Sequence, residues 1–185
     1  MRYWLLSNTT YGTWLPGSPR GLVTSVRDRR ADDVVTPARI EHDLPAEPWE
    51  DPIPGLYRSA AERMTGPPIH LRLEQAAALL AQFQETAAHR GWTLHAVAIM
   101  HNHVHLVVEV PDDPDPTKIL ADFKAYGSRR LNTMYGVPAS KTWWTTNGSK
   151  RKLQDAAAIR DGIHYVLHKQ PHPLVVRSKQ HGRLI

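Results

Sequence analysis

Runs of alternating or apolar residues predict four strands. Residues 2–10 are aromatic and β-branched, which is typical of a strand. Trp92–Met100 and His103–Val110 are predicted as two further strands, joined by a tight turn into an antiparallel hairpin. Thr142–Thr146 is predicted as a fourth strand, which an Asn-Gly turn ends.

Apolar residues at helical spacing predict three helices between and after these strands. They span Leu71–Arg90, Lys118–Tyr135 and Leu153–His168. The order of elements predicts an α+β fold, with a central antiparallel sheet flanked by helices. The buried stripe of the second helix is expected at Leu120, Phe123, Gly127, Leu131 and Met134.

The chain of 185 residues suits one domain, which we predict to span residues 1–185. Residues 17–68 are rich in proline and acidic residues and show no clean periodicity, so they predict a long irregular insertion. The polar residues from 171 onward predict a loosely held tail.

Composition and charge narrow the classes of function. The chain has no cysteine, which excludes disulfides and thiolate metal sites and favours a reducing cytoplasm. No signal peptide or membrane span is expected. The net charge is +5, and residues 118–152 carry eight lysines and arginines against Asp122 alone. This concentration of positive charge predicts a polyanionic partner, most often nucleic acid.

The sequence His103-Val104-His105 is the most informative motif. Alternate residues of a strand share one face, so the two imidazoles point the same way while Val104 points into a core. Two nitrogens that converge from a stiff support can bind a metal. A half-buried strand with polar residues on its wet face has the same pattern, and this alternative stays open at this point.

Tyr126 is the tyrosine that we predict as a nucleophile. It falls on the flank of the second helix, on the same side as Asp122 and Arg129, within the basic stretch. A tyrosine hydroxyl can attack a phosphodiester and form an ester, and a divalent cation on the phosphate assists this attack. The other tyrosines are weaker candidates because none combines a helix flank with basic neighbours; these are Tyr3, Tyr11, Tyr57, Tyr135 and Tyr165.

These motifs carry a resemblance to a known family. The chain resembles the HUH endonucleases, in which U is a hydrophobic residue, and within them the single-tyrosine transposases of the REP-associated group. The resemblance covers most of the chain outside the insertion and the tail. Four segments carry it: Thr10–Gly17, Ala98–Val107, Phe123–Asn132 and Trp143–Ser149.

The resemblance implies a ferredoxin-like fold and a bacterial, cytoplasmic protein associated with the nucleoid. It implies that single-stranded DNA is cut beside a REP-like hairpin, leaving a 5′-phosphotyrosine intermediate and a free 3′-OH. His103 and His105 would bind Mg²⁺ or Mn²⁺, and Tyr126 would be the catalytic nucleophile. The family includes monomers and homodimers, and both states remain open.

The third metal ligand departs from the family pattern. Some relatives supply it one helical turn after the tyrosine, often as glutamine, but Arg130 occupies that position here. Asp122, one turn before Tyr126, is a possible third ligand. Glu109 shares the face of the histidines further along the strand, and Asn132 projects away from Tyr126.

The basic stretch and its aromatic residues are predicted to bind DNA. The candidate residues are Lys124, Arg129, Arg130, Trp144, Lys150, Arg151 and Lys152. Two other functions stay open. The protein could be a hairpin-binding regulator that has lost cleavage, or a metallohydrolase that uses water as the nucleophile.

Overall fold

A computed structural model of the chain describes residues 1–18 and 53–179. The chain divides into two compact units. Met1–Thr13 and the chain from Thr65 onward form the first unit, and residues 14–64 form the second. The first unit contains every strand found in the described ranges and the helices that accompany them.

The strands of the first unit form one antiparallel sheet. They are β1 (Arg2–Thr9), β2 (Thr93–Ile99), β3 (His103–Val110), β4 (Ser149–Leu153) and β5 (Val175–Ser178), in the spatial order β4-β1-β3-β2-β5. The β2–β3 hairpin occupies the middle of the sheet together with β1. With helices on both faces, this sheet confirms the predicted α+β class.

Helices α2 (Leu73–Arg90) and α3 (Pro116–Tyr135) cover one face of the sheet. The carboxylate of Asp115 accepts a hydrogen bond from the backbone N–H of Thr117 at 2.8 Å, and Pro116 follows as the first residue of α3. Gly91 ends α2 in the left-handed conformation, with φ of 68°. Apolar residues of both helices pack with Leu6, Val104, Leu106 and Val108 in the main core.

Helix α4 (Ala156–His168) covers the opposite face. Its Val166 packs with Val107, Ala98 and Met100 in a second, smaller cluster. Because successive residues of β3 alternate between faces, the even-numbered residues enter the main core and the odd-numbered ones face α4.

The structure corrects two predicted elements. Strand β4 is Ser149–Leu153 rather than Thr142–Thr146, which contributes only an isolated bridge between Trp144 and Thr10. The run of basic residues concealed this strand because it lies at the sheet edge, where most side chains meet water. The tail expected to be loose from residue 171 contains β5, which pairs with β2.

The second unit contains α1 (Pro54–Glu62), which lies in the predicted insertion and has no buried residue. Most of the insertion lies outside the described residues. No helix of the described ranges is long and apolar enough to cross a membrane.

Candidate metal centre and nucleophile

His103 and His105 project from the face of β3 that α4 covers. The centroids of their rings lie 4.9 Å apart, with the planes at 82°. Only 8% of His105 is exposed to solvent. The sequence-based expectation that both imidazoles share one face is therefore met, and they are more buried than residues of a wet strand face.

Each imidazole uses its Nδ1 atom in a hydrogen bond to a neighbouring side chain. Nδ1 of His105 lies 2.5 Å from the hydroxyl oxygen of Ser7, which is its partner in the β1–β3 register. Nδ1 of His103 lies 2.6 Å from Oδ1 of Asn102. This arrangement leaves the Nε2 atom of each ring for another ligand.

Burial keeps both imidazoles neutral near pH 7. Loss of solvation, reinforced by the neighbouring His103, lowers the pKa of His105 to about 3. The pKa of His103 is also lowered, chiefly by burial and further by His101, while a hydrogen bond to Gln170 acts in the opposite direction. Neutral imidazoles are the form that binds a metal.

Gln170 brings a third polar group to the pair. Its side chain lies close enough to His103 and His105 to act on the pKa of both imidazoles. Its Nε2 also donates to the backbone carbonyl of Tyr165 at 3.1 Å, which ties the second residue after α4 back to the helix. The amide and the two imidazoles therefore meet at one place.

Tyr165 is the tyrosine beside this group. Its ring centroid lies 5.4 Å from that of His105, with the planes at 74°, so the rings meet edge to face. The residue is 37% exposed, so part of its side chain is open to solvent. Helix α4 supports it because Val166, the next residue, is fully buried against the sheet.

Tyr126 is not brought together with the histidines. It lies on α3, and α3 packs against the face of the sheet opposite to the one that carries His103 and His105. The guanidinium of Arg129 lies 5.1 Å from the centroid of its ring. The predicted proximity of Tyr126 and the histidine pair is wrong within the chain, because the sheet itself lies between them.

The residues considered as third ligands are also engaged elsewhere. Asp122 forms an ion pair with Arg90 at 2.9 Å on the α3 face. Oε2 of Glu109 lies 2.8 Å from Nε2 of His95, at the far end of β3. Oδ1 of Asn132 accepts a hydrogen bond from the indole of Trp143 at 2.8 Å. None of these three contacts is near the histidine pair.

Two of the predicted DNA-binding residues are structural. Trp144 is only 4% exposed, and its Nε1 donates to the carbonyl of Lys124 and the hydroxyl of Ser128, so the predicted stacking on a base is wrong. Nζ of Lys124 lies within 3.3 Å of the carbonyls of Thr145 and Thr146 and of the Asn8 amide. These acceptors match the three protons of the ammonium group.

The other basic residues are distributed over both faces of the sheet. Lys150 and Lys152 lie opposite Leu6 and Trp4 in the register and share the α3 face with Arg129 and Arg130. Arg151 lies opposite Leu5 and is exposed on the face of the histidines. Its role in binding DNA remains a prediction, as do those of the four basic residues on the other face.

The donor set suits the cations that the family resemblance implies. Two imidazole nitrogens and one amide oxygen can bind Mn²⁺ or Mg²⁺, with water completing the coordination. In residues 1–18 and 53–179 no group of three His, Cys, Asp or Glu side chains is placed to bind a metal. Gln170 is the oxygen donor that would join His103 and His105 in such a site.

The sequence contained a signal for this arrangement. Glutamine was expected about one helical turn after the nucleophile, and Arg130 violates this pattern for Tyr126. Gln170 follows Tyr165 by five residues, one more than the family spacing, and Lys169 occupies the position equivalent to Arg130. Both residues lie 60 or more positions beyond His105 along the chain, and only the folded chain brings them together.

Comparison with known proteins agrees with the resemblance. Residues 70–170, more than half of the chain, match the family model described as "Transposase IS200 like". The match contains the histidine pair, Tyr165 and Gln170. No curated protein sequence matches the chain.

Two solved structures are similar to this one. The first is a REP-associated tyrosine transposase bound to a REP hairpin, with a TM-score of 0.48 and 11% identity over 89% of this chain. This chain spans 64% of its length. The second is a protein from Deinococcus radiodurans R1 described as a transposase, with a TM-score of 0.40 and 14% identity over 93% of each chain. From the family match, the chain belongs to the IS200-like transposases.

Proposed function

We propose that this transposase cuts and rejoins single-stranded DNA beside a hairpin, with Tyr165 as its nucleophile. The observation that supports this most directly is the position of Tyr165, partly exposed and 5.4 Å from His105 between ring centroids. This proposal replaces Tyr126 by Tyr165 and keeps the chemistry that the family resemblance implied.

His103, His105 and Gln170 would bind Mg²⁺ or Mn²⁺ through two Nε2 atoms and one amide oxygen. A cation bound there would withdraw charge from the non-bridging oxygens of the scissile phosphate. Burial keeps both imidazoles unprotonated near pH 7, so they do not repel a cation.

In the proposed reaction the hydroxyl oxygen of Tyr165 bonds to phosphorus as the bond from phosphorus to the 3′ oxygen breaks. The proton lost by the phenol is balanced by the one that the 3′ oxygen gains. The products are a 5′-phosphotyrosine and a 3′-OH. Rejoining reverses the same exchange and needs no nucleotide cofactor, because the ester keeps the bond.

We expect the substrate to be single-stranded DNA rather than a duplex, as the family resemblance implies. The Tyr165 hydroxyl must approach the phosphorus in line with the bond that breaks. Arg151, exposed on the same face as the histidines, is placed to bind a flanking phosphate. The alternative of a hairpin-binding regulator that has lost cleavage was favoured by the missing ligand at Arg130. In this proposal Gln170 would take the place of that ligand.

The test uses hairpin oligonucleotides with randomised single-stranded flanks, incubated with the protein and Mn²⁺. A 3′ label should migrate with the protein on a denaturing gel, and a 5′ label should be released on a fragment with a 3′-OH. The adduct should disappear in Tyr165→Phe and persist in Tyr126→Phe, which is the matched control on the other face of the sheet.

Three outcomes would overturn the proposal. An adduct that survives in Tyr165→Phe and is lost in Tyr126→Phe would assign the nucleophile to Tyr126. Cleavage without an adduct, retained in both variants, would indicate a hydrolase that uses water. Tight, salt-sensitive binding of the same DNA without any cleavage would indicate the regulator.

A further inference from the structure

The end of β1 and the turn after it contain polar contacts that the proposed reaction does not use. Ser7 and Thr10 belong to this segment, and Thr13 follows in the block that resembles the N-terminal block of the family. Thr10 is fully buried. A fully buried hydroxyl must be hydrogen-bonded, and its partners indicate what the segment does.

These partners converge on the backbone of Asn102. The N–H of Thr10 donates to the Asn102 carbonyl at 2.8 Å. The hydroxyl oxygens of Thr10 and Thr13 lie 3.0 Å and 3.1 Å from the same carbonyl oxygen. The turn between β2 and β3 is thus held by the N–H of Thr10, with both hydroxyls beside the same carbonyl oxygen. Each hydroxyl also has a second acceptor, the Ile69 carbonyl at 2.7 Å for Thr10 and the Thr10 carbonyl at 2.9 Å for Thr13.

The side chain of Asn102 transmits this restraint to His103. An amide oxygen can only accept, so Oδ1 of Asn102, 2.6 Å away, requires the proton of His103 to reside on Nδ1. The lone pair of that imidazole is then on Nε2. The same contact limits rotation of the ring about its bond to the backbone.

Ser7 has the equivalent position for His105. Its hydroxyl lies 2.5 Å from Nδ1 and approaches from β1, the strand that pairs directly with β3. A hydroxyl can donate or accept, so Ser7 allows the Nδ1–H tautomer rather than requiring it. Burial of His105 excludes water from competing for this contact.

We propose that Ser7, Asn102, Thr10 and Thr13 are positioning residues, which hold both imidazoles with Nδ1 protonated and Nε2 available to a divalent cation. The identity of the cation is taken from the proposed function, on which this inference rests. The inference adds the residues that orient the two histidines toward that cation. Outer partners of this kind orient metal-binding histidines and raise their basicity.

The experiment removes the two direct contacts separately. The contacts to Nδ1 are deleted in Ser7→Ala and Asn102→Ala. An acceptor is retained in Ser7→Thr and Asn102→Asp. Ser128→Ala is the matched control, because its hydroxyl accepts from Trp144 on the opposite face and that indole also donates to the Lys124 carbonyl. Two measurements are made at neutral pH: the imidazole tautomers by ¹⁵N NMR of the metal-free protein, and the Mn²⁺ affinity by electron paramagnetic resonance.

The unmodified chain and Ser128→Ala should show the Nδ1–H tautomer at both histidines. Each alanine variant should lose that tautomer at its own histidine, and its Kd for Mn²⁺ should rise about 10- to 100-fold. Ser7→Thr should restore the Mn²⁺ affinity. Asn102→Asp should show the Nδ1–H tautomer that Asn102→Ala loses. Only the tautomer is used to judge this variant, because its added negative charge attracts Mn²⁺ by itself.

Two results would overturn the inference. One is an Nε2–H tautomer in the unmodified chain, and the other is that the alanine variants keep both their tautomers and their affinity for Mn²⁺. Failure of the proposed function is a separate result, since the adduct with Tyr165 can be absent while the tautomers respond as expected. If Ser7→Ala does not fold, Asn102→Ala decides the question, because Asn102 lies in a turn outside the strands.

Discussion

The two faces of the sheet differ in what their helices bury. On one face, α2 and α3 pack large side chains such as Phe83 and Phe123 against the sheet, and α2 alone buries eight residues. On the other face, α4 buries only Gly162 and Val166, and the sheet offers mainly small side chains such as Ala96 and Ala98. The first face therefore contributes most of the hydrophobic stabilisation.

This difference explains where chemistry is possible. Polar groups can be brought together only where close apolar packing does not exclude them and where substrate can enter. The α4 face provides both conditions, because Tyr165 is partly exposed while His105 is buried and His103 is half-buried. The proposed site thus uses the face that contributes less to stability.

The largest expected difference between the α4 face and the α3 face is in the affinity for Mn²⁺. His105→Ala removes one of three proposed ligands and should weaken Mn²⁺ binding more than about 100-fold, because even outer partners of a metal site cost 10- to 100-fold. Asp122→Asn, on the α3 face, should leave the affinity unchanged. Paramagnetic resonance of free Mn²⁺ measures both. Equal losses in the two variants would contradict the assignment of the metal to the α4 face.

The next effect concerns the third ligand. Gln170→Ala should raise the Kd for Mn²⁺ about 10- to 100-fold, since it leaves the two imidazoles without their amide partner. Arg130→Gln creates the family pattern after Tyr126 and should not change the Kd, because that position faces away from the histidines. Tighter binding of Mn²⁺ by Arg130→Gln would return the site to α3.

The packing of the two faces can be compared through one glycine in each. A Cβ at Gly127 of α3 would lie 2.9 Å from a methyl of Leu79 and 3.3 Å from the ring of Phe83, both deeply buried. Gly127→Ala should lower the free energy of unfolding by about 1–3 kcal/mol, because the core cannot give way.

At Gly162 of α4, the added Cβ would lie 3.1 Å from a methyl of Leu153, on the edge strand. Because this contact is longer than the one at Gly127 and Leu153 lies on the edge strand, Gly162→Ala should be neutral or raise the free energy of unfolding by up to about 1 kcal/mol through better helix propensity. Urea denaturation measures both variants. A larger loss at Gly162 than at Gly127 would show that the α4 face is the more tightly packed.

The smallest effect is a pH dependence on the α4 face. A hydrogen bond from His95 holds the pKa of Glu109 below its usual range, and one from Tyr3 acts in the same direction. A lowered carboxyl pKa stabilises the fold at pH values above the unfolded pKa, and this contribution is lost as the pH falls through the folded pKa. Glu109→Gln should therefore cost about 1 kcal/mol near pH 7 and progressively less in acid.

Thermal denaturation of Glu109→Gln between pH 7 and pH 3 tests this expectation. Asp122→Asn breaks a more exposed ion pair on the other face and should cost less at pH 7, within about 1 kcal/mol. A stability difference for Glu109→Gln that does not narrow in acid would show that the charge of Glu109 is not responsible.

The local pattern of residues was sufficient to predict the central hairpin, two of the helices and the shared face of the histidines. The spacing of His103 and His105 determined that both imidazoles share a face, because the alternation of a strand depends only on its backbone geometry. The apolar periodicity predicted α2 and α3, and the hairpin followed from two apolar strands joined by a short turn. Strand β4 and the tail strand β5 were missed, since edge strands and short strands bury too little to show a pattern.

The proposal of Tyr165 as the nucleophile rests on tertiary structure alone. Both Tyr126 and Tyr165 lie on helices, and the shorter separation from the histidines along the chain favoured Tyr126. Which helix covers which face of the sheet depends on the summed packing of the whole chain, and that packing placed α3 behind the sheet and α4 beside the histidines. Residues 60 or more positions apart can meet only through such packing, which no local spacing encodes.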